Sequence, residues 1–327
     1  MRPHSPFPTR RQQQRGAALL LAMIIVTLVA TLAAGMVWQQ WSAIRVEAAE
    51  RSRTQSGWIL GGAVDWSRLI LREDARTSKI DHLGEPWATP LAEARLSTFL
   101  AADRNNTSDG GPEAFLSGTI ADAQARYNLR NLVGDNGQAV PGEVQVLSRL
   151  CATAGLADGV ARRLAAGLVS AWGAQAASAP SAPDENRALA PQRLDHLAWL
   201  GFDAATITAL RPWVDVLPEK TKVNLNTAPR EVLSAVLDVD RGTAERLLQV
   251  RQRKAFDTVD AARPHLPAEA KLDPARVSVA SSYFEVSGRL RLDDRMLEER
   301  SLMHRRLNGN AILVVAIHRE RRPQQAP

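Results

Sequence analysis

The feature that most constrains this chain is a run of 22 residues without a charge, Ala17 to Trp38, directly behind a short basic segment. A helix of that length spans about 33 Å at about 1.5 Å per residue, enough for a hydrocarbon core of about 30 Å. The apolar part of a secretory signal is usually only about 7–15 residues long. The run therefore predicts a membrane-spanning helix. The four arginines before it place the N-terminus in the cytoplasm.

The helix is expected to continue past the apolar run. A set of residues, most of them apolar or small, recurs there at steps near three, four or seven, which is the pattern of one helix face. These residues are Trp41, Ile44, Ala48, Gln55, Trp58, Gly62, Trp66 and Leu69. The sequence thus predicts one helix from about Ala17 to about Arg72, embedded in the membrane first and facing an aqueous compartment afterwards.

The junction at Gly16 allows three interpretations. The run could be a plain N-terminal anchor, or a secretory signal cut near Leu32-Ala33-Ala34. In the third interpretation, Arg15-Gly16 followed by AALLL resembles the type IV prepilin cleavage site. That resemblance implies a peptidase that cuts after the glycine on the cytoplasmic side and leaves the apolar helix in place.

Two residues depart from the usual prepilin pattern. Ala17 is not the common bulky first residue, and Leu21 stands at the fifth mature position, where most members carry glutamate. A new N-terminal amine among packed apolar helices needs a partner, because an unpaired buried charge costs several kcal/mol. Leu21 cannot provide that partner. We interpret Leu21 as the mark of a subunit at the end of a filament.

Composition limits the remaining possibilities. With 327 residues, 45% of them hydrophobic, the chain can form two folded domains beyond the helix. The net charge of +6 includes four arginines of the first sixteen residues, so it argues only weakly for nucleic acid. The single cysteine, Cys151, excludes an intrachain disulfide and is predicted to be a small core residue. No metal-binding histidine spacing, P-loop, GxSxG or GxGxxG motif is present, so we do not expect an enzyme.

Strand patterns occur near both ends of the soluble part. Residues 118–132 predict two short extended pieces around a polar turn at Asp122-Ala123-Gln124. Residues 283–292 alternate with period two, as in a half-buried strand. Asn308-Gly309 predicts a tight hairpin turn between Glu299–Leu307 and Ala311–His318. We therefore expect strands before about 133 and after about 280, with helices between them.

The segment Val223 to Leu266 resembles a helix-hairpin-helix unit. Thr227 is predicted to cap its first helix, and a second helix is expected after Gly242. DNA-binding versions of this unit offer backbone N–H groups to a phosphate. Here Asp238 and Asp240 stand in the hairpin, and like charge opposes a phosphate. We predict a packing or protein-contact module and expect no nucleic acid.

Taken in order, these parts resemble the K-type minor pseudopilin of bacterial type II secretion systems over nearly the whole chain. The residues that carry the resemblance are the Gly16 junction, Leu21, the segment Tyr127-Asn128-Leu129-Arg130-Asn131-Leu132, the segment Asn224-Leu225-Asn226-Thr227-Ala228-Pro229, and the strands that follow. No single one is decisive, but the combination is specific.

The resemblance implies an α+β fold. It consists of a pilin-like long N-terminal helix packed on a small antiparallel sheet, with a large inserted all-α domain of helix-hairpin-helix or SAM-like type. The implied boundaries are 1–16 for the leader, 17–38 for the transmembrane and assembly helix, 39–75 for its soluble half, 76–135 and 276–327 for the pilin-like domain, and 136–275 for the inserted domain with the helix-hairpin-helix-like unit at 223–266.

The resemblance also implies a structural subunit. A prepilin peptidase would cut between Gly16 and Ala17, and the new amine would be methylated. The protein would sit in the inner membrane with a single span, its bulk in the periplasm. It would join the I- and J-type minor pseudopilins at the tip of a filament of the major G-type subunit. We expect Trp41, Ile44, Trp58 and Trp66 to meet partner helices, although Trp58 and Trp66 could instead pack on the protein's own sheet.

Members of this family can bind calcium, and one stretch here has alternating oxygen ligands of the kind a hard cation prefers. Its residues are Asp103, Asn105, Thr107 and Asp109. The stretch lacks a glutamate at the twelfth position, where Ala114 stands, so a solvated loop is favoured. Spacing cannot detect a site assembled from distant acids such as Asp122, Asp293 or Asp294.

An alternative function is a membrane-anchored periplasmic DNA receptor, which also joins an anchor to a helix-hairpin-helix unit. That interpretation predicts a flexible linker after the anchor and a glycine-rich hairpin. The sequence instead has an ordered helical pattern and an acidic hairpin.

Overall fold

A computed structural model describes residues 13–96, 114–176, 188–270, 272–292, 295–309 and 311–325. The chain divides into two compact units, residues 1–59 and 60–327. Within the described residues, the α-helices are α1 (Gln13–Thr77), α2 (Pro141–Thr153), α3 (Val160–Ala176), α4 (Ala204–Leu210), α5 (Arg230–Leu237) and α6 (Arg241–Arg253). The strands are β1 (Leu91–Arg95), β2 (Ala114–Asp122), β3 (Tyr127–Asn128), β4 (Val214–Asp215), β5 (Val223–Asn224), β6 (Val277–Ser278), β7 (Tyr283–Leu292), β8 (Arg295–Asn308) and β9 (Ala311–Gln325).

The first unit contains the apolar part of α1. Its large apolar side chains between Leu19 and Trp38 are all between 52% and 70% exposed. The two hydroxyl groups in this part, on Thr27 and Thr31, donate to carbonyl oxygens one turn earlier in the same helix. Each polar group is thus satisfied inside the helix, as an apolar environment requires.

The second unit contains a five-stranded antiparallel sheet in the order β1-β2-β7-β8-β9. The predicted alternation in β7 is confirmed, because Phe284, Val286 and Leu290 are buried while Arg289 is exposed. The predicted β8–β9 hairpin is also present. Asn308 pairs with Ala311, and Gly309 adopts a φ of +60°, which favours glycine.

Opposite charges face each other across that hairpin, and Glu299 and Arg321 form an ion pair. Glu298 faces Arg322, Glu299 faces Arg321 and Arg300 faces Glu320. A slip by one residue would bring like charges together and would also turn the apolar side chains of the hairpin to the other face.

The sheet packs on residues of α1 that the sequence pattern did not select. Leu60, Val64 and Leu71 are at most 4% exposed, whereas the predicted stripe residue Trp66 is 62% exposed. Leu60 lies over Gly288, where an added Cβ would come within 3.3 Å of it. This part of α1 therefore has two apolar sides. The sheet covers the aliphatic one, because branched side chains fit a pleated surface at close range.

The helices α2 to α6 share one hydrophobic core, in which the predicted core residue Cys151 is 4% exposed. Burial raises the pKa of its thiol to about 11. Side chains on both sides of the predicted module boundaries enter this core, among them Leu129 and Val277. The boundaries at 136 and 275 remain a prediction.

Residues Leu194–Leu200 form a 3-10 helix, in the region where helices were expected. Two local predictions were wrong. The short strands β4, β5 and β6 occur where only helices were expected, in the parallel pairs β3–β4 and β5–β6. Thr227 does not cap α5, because its hydroxyl bonds a distant carboxylate and Pro229 takes the cap position.

Candidate functional site

The processing junction lies in the first turns of α1. Gly16 and Ala17 are helical and exposed, and Leu21 is 59% exposed. From Gly16 onward the helix contains a window with a mean hydropathy of 2.7 and none of that window buried. By length and composition it can cross a membrane once. Cleavage at Gly16 remains a prediction.

The four residues selected for partner contacts are all exposed. The exposed fractions are 54% for Trp41, 60% for Ile44, 79% for Trp58 and 62% for Trp66. The alternative in which Trp58 and Trp66 form part of the protein's own core is therefore wrong. A tryptophan side chain can bury roughly 150–250 Å² of its surface against a partner. Exposed tryptophans along one helix therefore indicate a contact surface. The partner itself remains a prediction.

A buried carboxylate, Asp122, joins the sheet to the helical module. One of its oxygens accepts from the Thr227 hydroxyl at 2.6 Å, the Ser281 hydroxyl at 2.6 Å and the Asn224 side-chain amide at 3.0 Å. The other accepts from the backbone N–H of Gln124 at 2.8 Å. Burial raises the pKa of Asp122, although each of the hydroxyl bonds counteracts that shift.

A second group of carboxylates lies around Arg305. Its guanidinium donates to Asp74 at 2.8 Å and to both oxygens of Asp81 at 2.5 and 2.6 Å. Asp81 also accepts from the backbone N–H of Ser281 at 2.7 Å, and Ser281 in turn bonds Asp122. The hydrogen bonds around Asp122 and those around Arg305 therefore form one connected network through Ser281. We call the set Asp74, Asp81, Asp122, Ser281 and Arg305 the polar junction.

Glu85 adds a third acid beside Asp74 and Asp81. One of its oxygens accepts from the indole N–H of Trp87 at 2.8 Å and from the backbone N–H of His82 at 2.9 Å. The other, Oε1, is buried and has no hydrogen-bond partner among the described residues. Three carboxylates therefore lie close together, and Arg305 pairs with two of them. Burial, followed by the charge of Glu85, raises the pKa of Asp74 from its ordinary value near 3.8 to about 6.

The oxygen atoms of Asp74, Asp81 and Glu85 come within 4.8 Å of one another, and carboxylate oxygens are ligands for a hard cation. Arg305 already binds two of the three groups, so these residues do not form a vacant cation site. The calcium candidates Asp103, Asn105 and Asp109 lie outside the described residues, as do Asp293 and Asp294. Asp122 is described, and its neighbours are hydroxyl and amide groups.

The structure gives a physical role to the two segments that carried the family resemblance. In the first, Asn128 donates to the carbonyl of Glu219 at 2.7 Å and accepts from the backbone N–H of Leu217 at 3.1 Å. Asn131 bonds Thr221 through both its oxygen and its nitrogen. Side-chain amides thus fasten this segment to residues about ninety positions further along the chain.

The second segment works in the same way. Asn224 bonds Asp122, and Asn226 bonds both the carbonyl and the N–H of Phe256 at 3.1 and 2.9 Å. Asn128, Asn224 and Asn226 are buried, where an unpaired amide would cost about 1–3 kcal/mol. The sequence pattern showed that the asparagines were present, but not what they bond.

The helix-hairpin-helix-like unit is present as α5 and α6. Its hairpin contains Asp238, which has a φ of +57° and pairs with Arg149 at 2.7 Å. Asp240 caps α6 by accepting from the N–H of Thr243, and α6 begins at Arg241, so Gly242 lies inside the helix. A carboxylate therefore already occupies the N-terminus at which a DNA-binding hairpin would hold a phosphate.

Comparisons with known proteins agree with these features. Residues 125–219 and 223–281 match the family described as type II secretion system (T2SS), protein K. The protein of that name from Pseudomonas aeruginosa PAO1 is 30% identical over 87% of this chain and 87% of its own length. Its counterpart from Klebsiella pneumoniae is also 30% identical, over 90% of this chain and 93% of its own.

A solved chain from the GspK-GspI-GspJ complex of the enterotoxigenic Escherichia coli type 2 secretion system has the same fold. It matches with a TM-score of 0.59 at 20% identity and covers 85% of this chain and 99% of its own. The long helix, the antiparallel sheet and the helical module confirm the predicted α+β fold. The chain belongs to the type II secretion system protein K family, the K-type minor pseudopilins.

Proposed function

We propose that this protein stands at the tip of the type II secretion pseudopilus, where it initiates or caps the filament that exports folded periplasmic proteins across the outer membrane. The exposed apolar surface of α1 is the observation that carries the proposal. Apolar side chains over more than forty residues are left for a membrane and for other helices to cover.

The same proposal includes processing and orientation. The prepilin peptidase cuts between Gly16 and Ala17, and the new amine is methylated. The basic leader keeps the N-terminus in the cytoplasm, and the second unit lies in the periplasm.

Two features favour the end of the filament. Leu21 cannot pair with the terminal amine of a neighbouring subunit, so the chain is a poor repeating unit. A large helical module also lies between β2 and β7 in the sequence, and such a module would obstruct a subunit stacked above it.

The proposed partners are the I- and J-type minor pseudopilins and, below them, the major G-type subunit. The solved chain of similar fold comes from a complex with GspI and GspJ. In our proposal, Trp41, Ile44, Trp58 and Trp66 meet the corresponding helices of those partners.

The mature N-terminus tests the processing step. We would determine it by intact mass and terminal sequencing, from cells with and without the prepilin peptidase. A methylated start at Ala17 that requires the peptidase is expected. A chain beginning near Met1 would make it an ordinary anchor, and a start near Gly35 would make the run a secretory signal.

Cysteine cross-linking tests the partner surface. Cysteines would replace Trp41, Trp58 or Trp66 one at a time in the full chain. The native Cys151 is buried with a raised thiol pKa, so it should not compete for the reagent. Gln252→Cys, exposed on α6, is the matched control. Cross-links to the I- or J-type subunit should form only from the tryptophan positions, and equal cross-linking from Gln252→Cys would contradict the proposed surface.

The DNA-receptor alternative has its own test. Retardation of duplex DNA by the full chain at low salt, lost at high salt, would favour it over the proposed function.

A further inference from the structure

The helical module contains a pocket that the proposed assembly role does not use. It has a volume of about 530 Å³ and lies between the C-terminal half of α6 and the segment Pro264–Pro267. Arg246 and Arg253 stand seven residues apart on one face of α6, which places them about 10 Å apart along the helix. His265 lines the pocket from the opposite side.

The positive charge of this pocket is only partly offset within the described residues, by Asp240, whose carboxylate accepts from the Thr243 hydroxyl that Arg246 also contacts. Arg246 donates to the Thr243 hydroxyl at 2.7 Å and forms no ion pair there, and Arg253 forms none either. Two other arginines of the module do have carboxylate partners. Arg149 pairs with Asp238, and Arg230 pairs with Glu231 and Glu245. No carboxylate lines the pocket among the residues that the structure describes.

The position of Arg253 in the last turn of α6 would by itself be explained by the helix dipole, which favours a cation there. That explanation does not extend to Arg246, which is nearly two turns further back and reaches the same pocket. Two guanidinium groups that converge on one concavity are suited to bind carboxylate oxygens, since each offers a fork of parallel donors.

The rest of the lining is apolar. Val250 and Leu266 are half-buried at the pocket, and Pro264 and Pro267 restrict the backbone on either side of His265 and Leu266. An aspartate or glutamate side chain brings methylene groups that such a surface can cover. A free phosphate has no such groups.

We propose that this pocket binds an acidic peptide segment of a protein partner, with a carboxylate held between Arg246 and Arg253 and an apolar neighbour against Val250 and Leu266. The site is independent of the α1 surface and goes beyond the tip function, so either proposal can fail without the other.

The test uses the full chain in a non-ionic detergent. The probe is the capped peptide LDEL carrying an uncharged dye, and LNQL is its neutral match; binding is followed by fluorescence anisotropy. The variant is Arg246→Gln with Arg253→Gln. The control is Arg162→Gln with Arg241→Gln, which removes the same charge from exposed positions outside the pocket. We expect LDEL to bind at least about tenfold more tightly than LNQL, a preference lost in the variant and kept in the control.

Four results would overturn the proposal. LDEL and LNQL could bind equally, or the variant could retain the preference. Inorganic phosphate could displace LDEL at lower concentration than unlabelled LDEL does, which would make the pocket a simple oxyanion site. Duplex DNA could bind the native chain and not the variant, which would make it a nucleic-acid site. Unfolding midpoints for the variant and control will verify that both are folded.

Discussion

The apolar half of α1 exposes large apolar side chains, whereas the polar junction buries charged ones. Each arrangement is the opposite of what is usual in a soluble protein. In the first unit, leucines and tryptophans are exposed. In the second, Asp81 and Asp122 are at most 5% exposed. Within the described residues this apolar surface is uncovered, and we infer that a membrane and other helices cover it. The buried carboxylates have partners inside the chain, on segments two hundred residues or more away.

The difference separates two kinds of role. Substitution of exposed apolar side chains of α1 should leave the stability of the isolated chain unchanged but weaken its assembly with partners. The polar junction should behave the other way round, because it holds α1, the sheet and the helical module together within the second unit. Four predictions test this separation.

The largest expected effect follows removal of the single cation in the polar junction. Arg305→Met would leave Asp74 and Asp81 buried without a counter-charge, and loss of one partner from a buried pair costs about 3–5 kcal/mol. Urea unfolding of the full chain measures this change in the free energy of unfolding. Arg306→Met, on the neighbouring exposed position, should change it by less than about 0.5 kcal/mol. Equal effects of the two substitutions would contradict a special role for Arg305.

A smaller loss is expected from Asp122→Ala. Three side-chain donors and one backbone N–H would lose their acceptor, at a cost of about 3 kcal/mol. Removal of a buried carboxyl group offsets part of that cost, so the effect should stay below that of Arg305→Met. Asp158→Ala, at an exposed position, is the control. Similar urea midpoints for Asp122→Ala and the native chain would show that the junction is dispensable.

The free energy of unfolding should depend on pH through the titration of Asp74. Burial raises the pKa of this carboxyl in the folded state to about 6, above its ordinary value near 3.8. Between these values the folded state binds more protons, so the contribution of Asp74 to stability is present below about pH 4 and is lost as the pH rises to about 6. The free energy of unfolding of Asp74→Asn, relative to that of the native chain, should therefore rise by up to about 2 kcal/mol between about pH 4 and about pH 6.

Urea unfolding at several pH values checks this prediction. The exposed Asp65→Asn on the same helix is the control and should run parallel to the native chain. Parallel curves for Asp74→Asn as well would mean that the buried cluster is not protonated as we infer.

The smallest expected effect is on the apolar side of the comparison. Trp66→Ala should alter the free energy of unfolding of the isolated chain by less than about 0.5 kcal/mol, because the side chain is 62% exposed. Leu71→Ala, on the buried side of the same helix, should cost about 2–5 kcal/mol. The assembly assay should reverse the order, with the greater loss of cross-links to partners for Trp66→Ala. A large loss in the free energy of unfolding for Trp66→Ala would contradict the distinction between the exposed and the buried side of α1.

Structural features that depend only on neighbouring residues were predictable from the sequence. The uncharged run from Ala17, the alternation in β7 and the turn at Gly309 each follow from a short stretch of chain. The face of α1 that meets the sheet was not predictable in this way. Both sides of the helix are apolar there, and the choice depends on how Leu60 fits over Gly288, a residue far away in the sequence.

The membrane-length helix, the order of helical and strand segments and the family could be recognised from the amino-acid sequence, because charge, periodicity and turn residues act locally. The buried network of Asp74, Asp81, Asp122 and Arg305, and the pocket that Arg246 and Arg253 share, became visible only in the folded chain. Ion pairs and hydrogen bonds between distant segments leave no period in the sequence. Their strength also depends on burial, which exists only once the chain has folded.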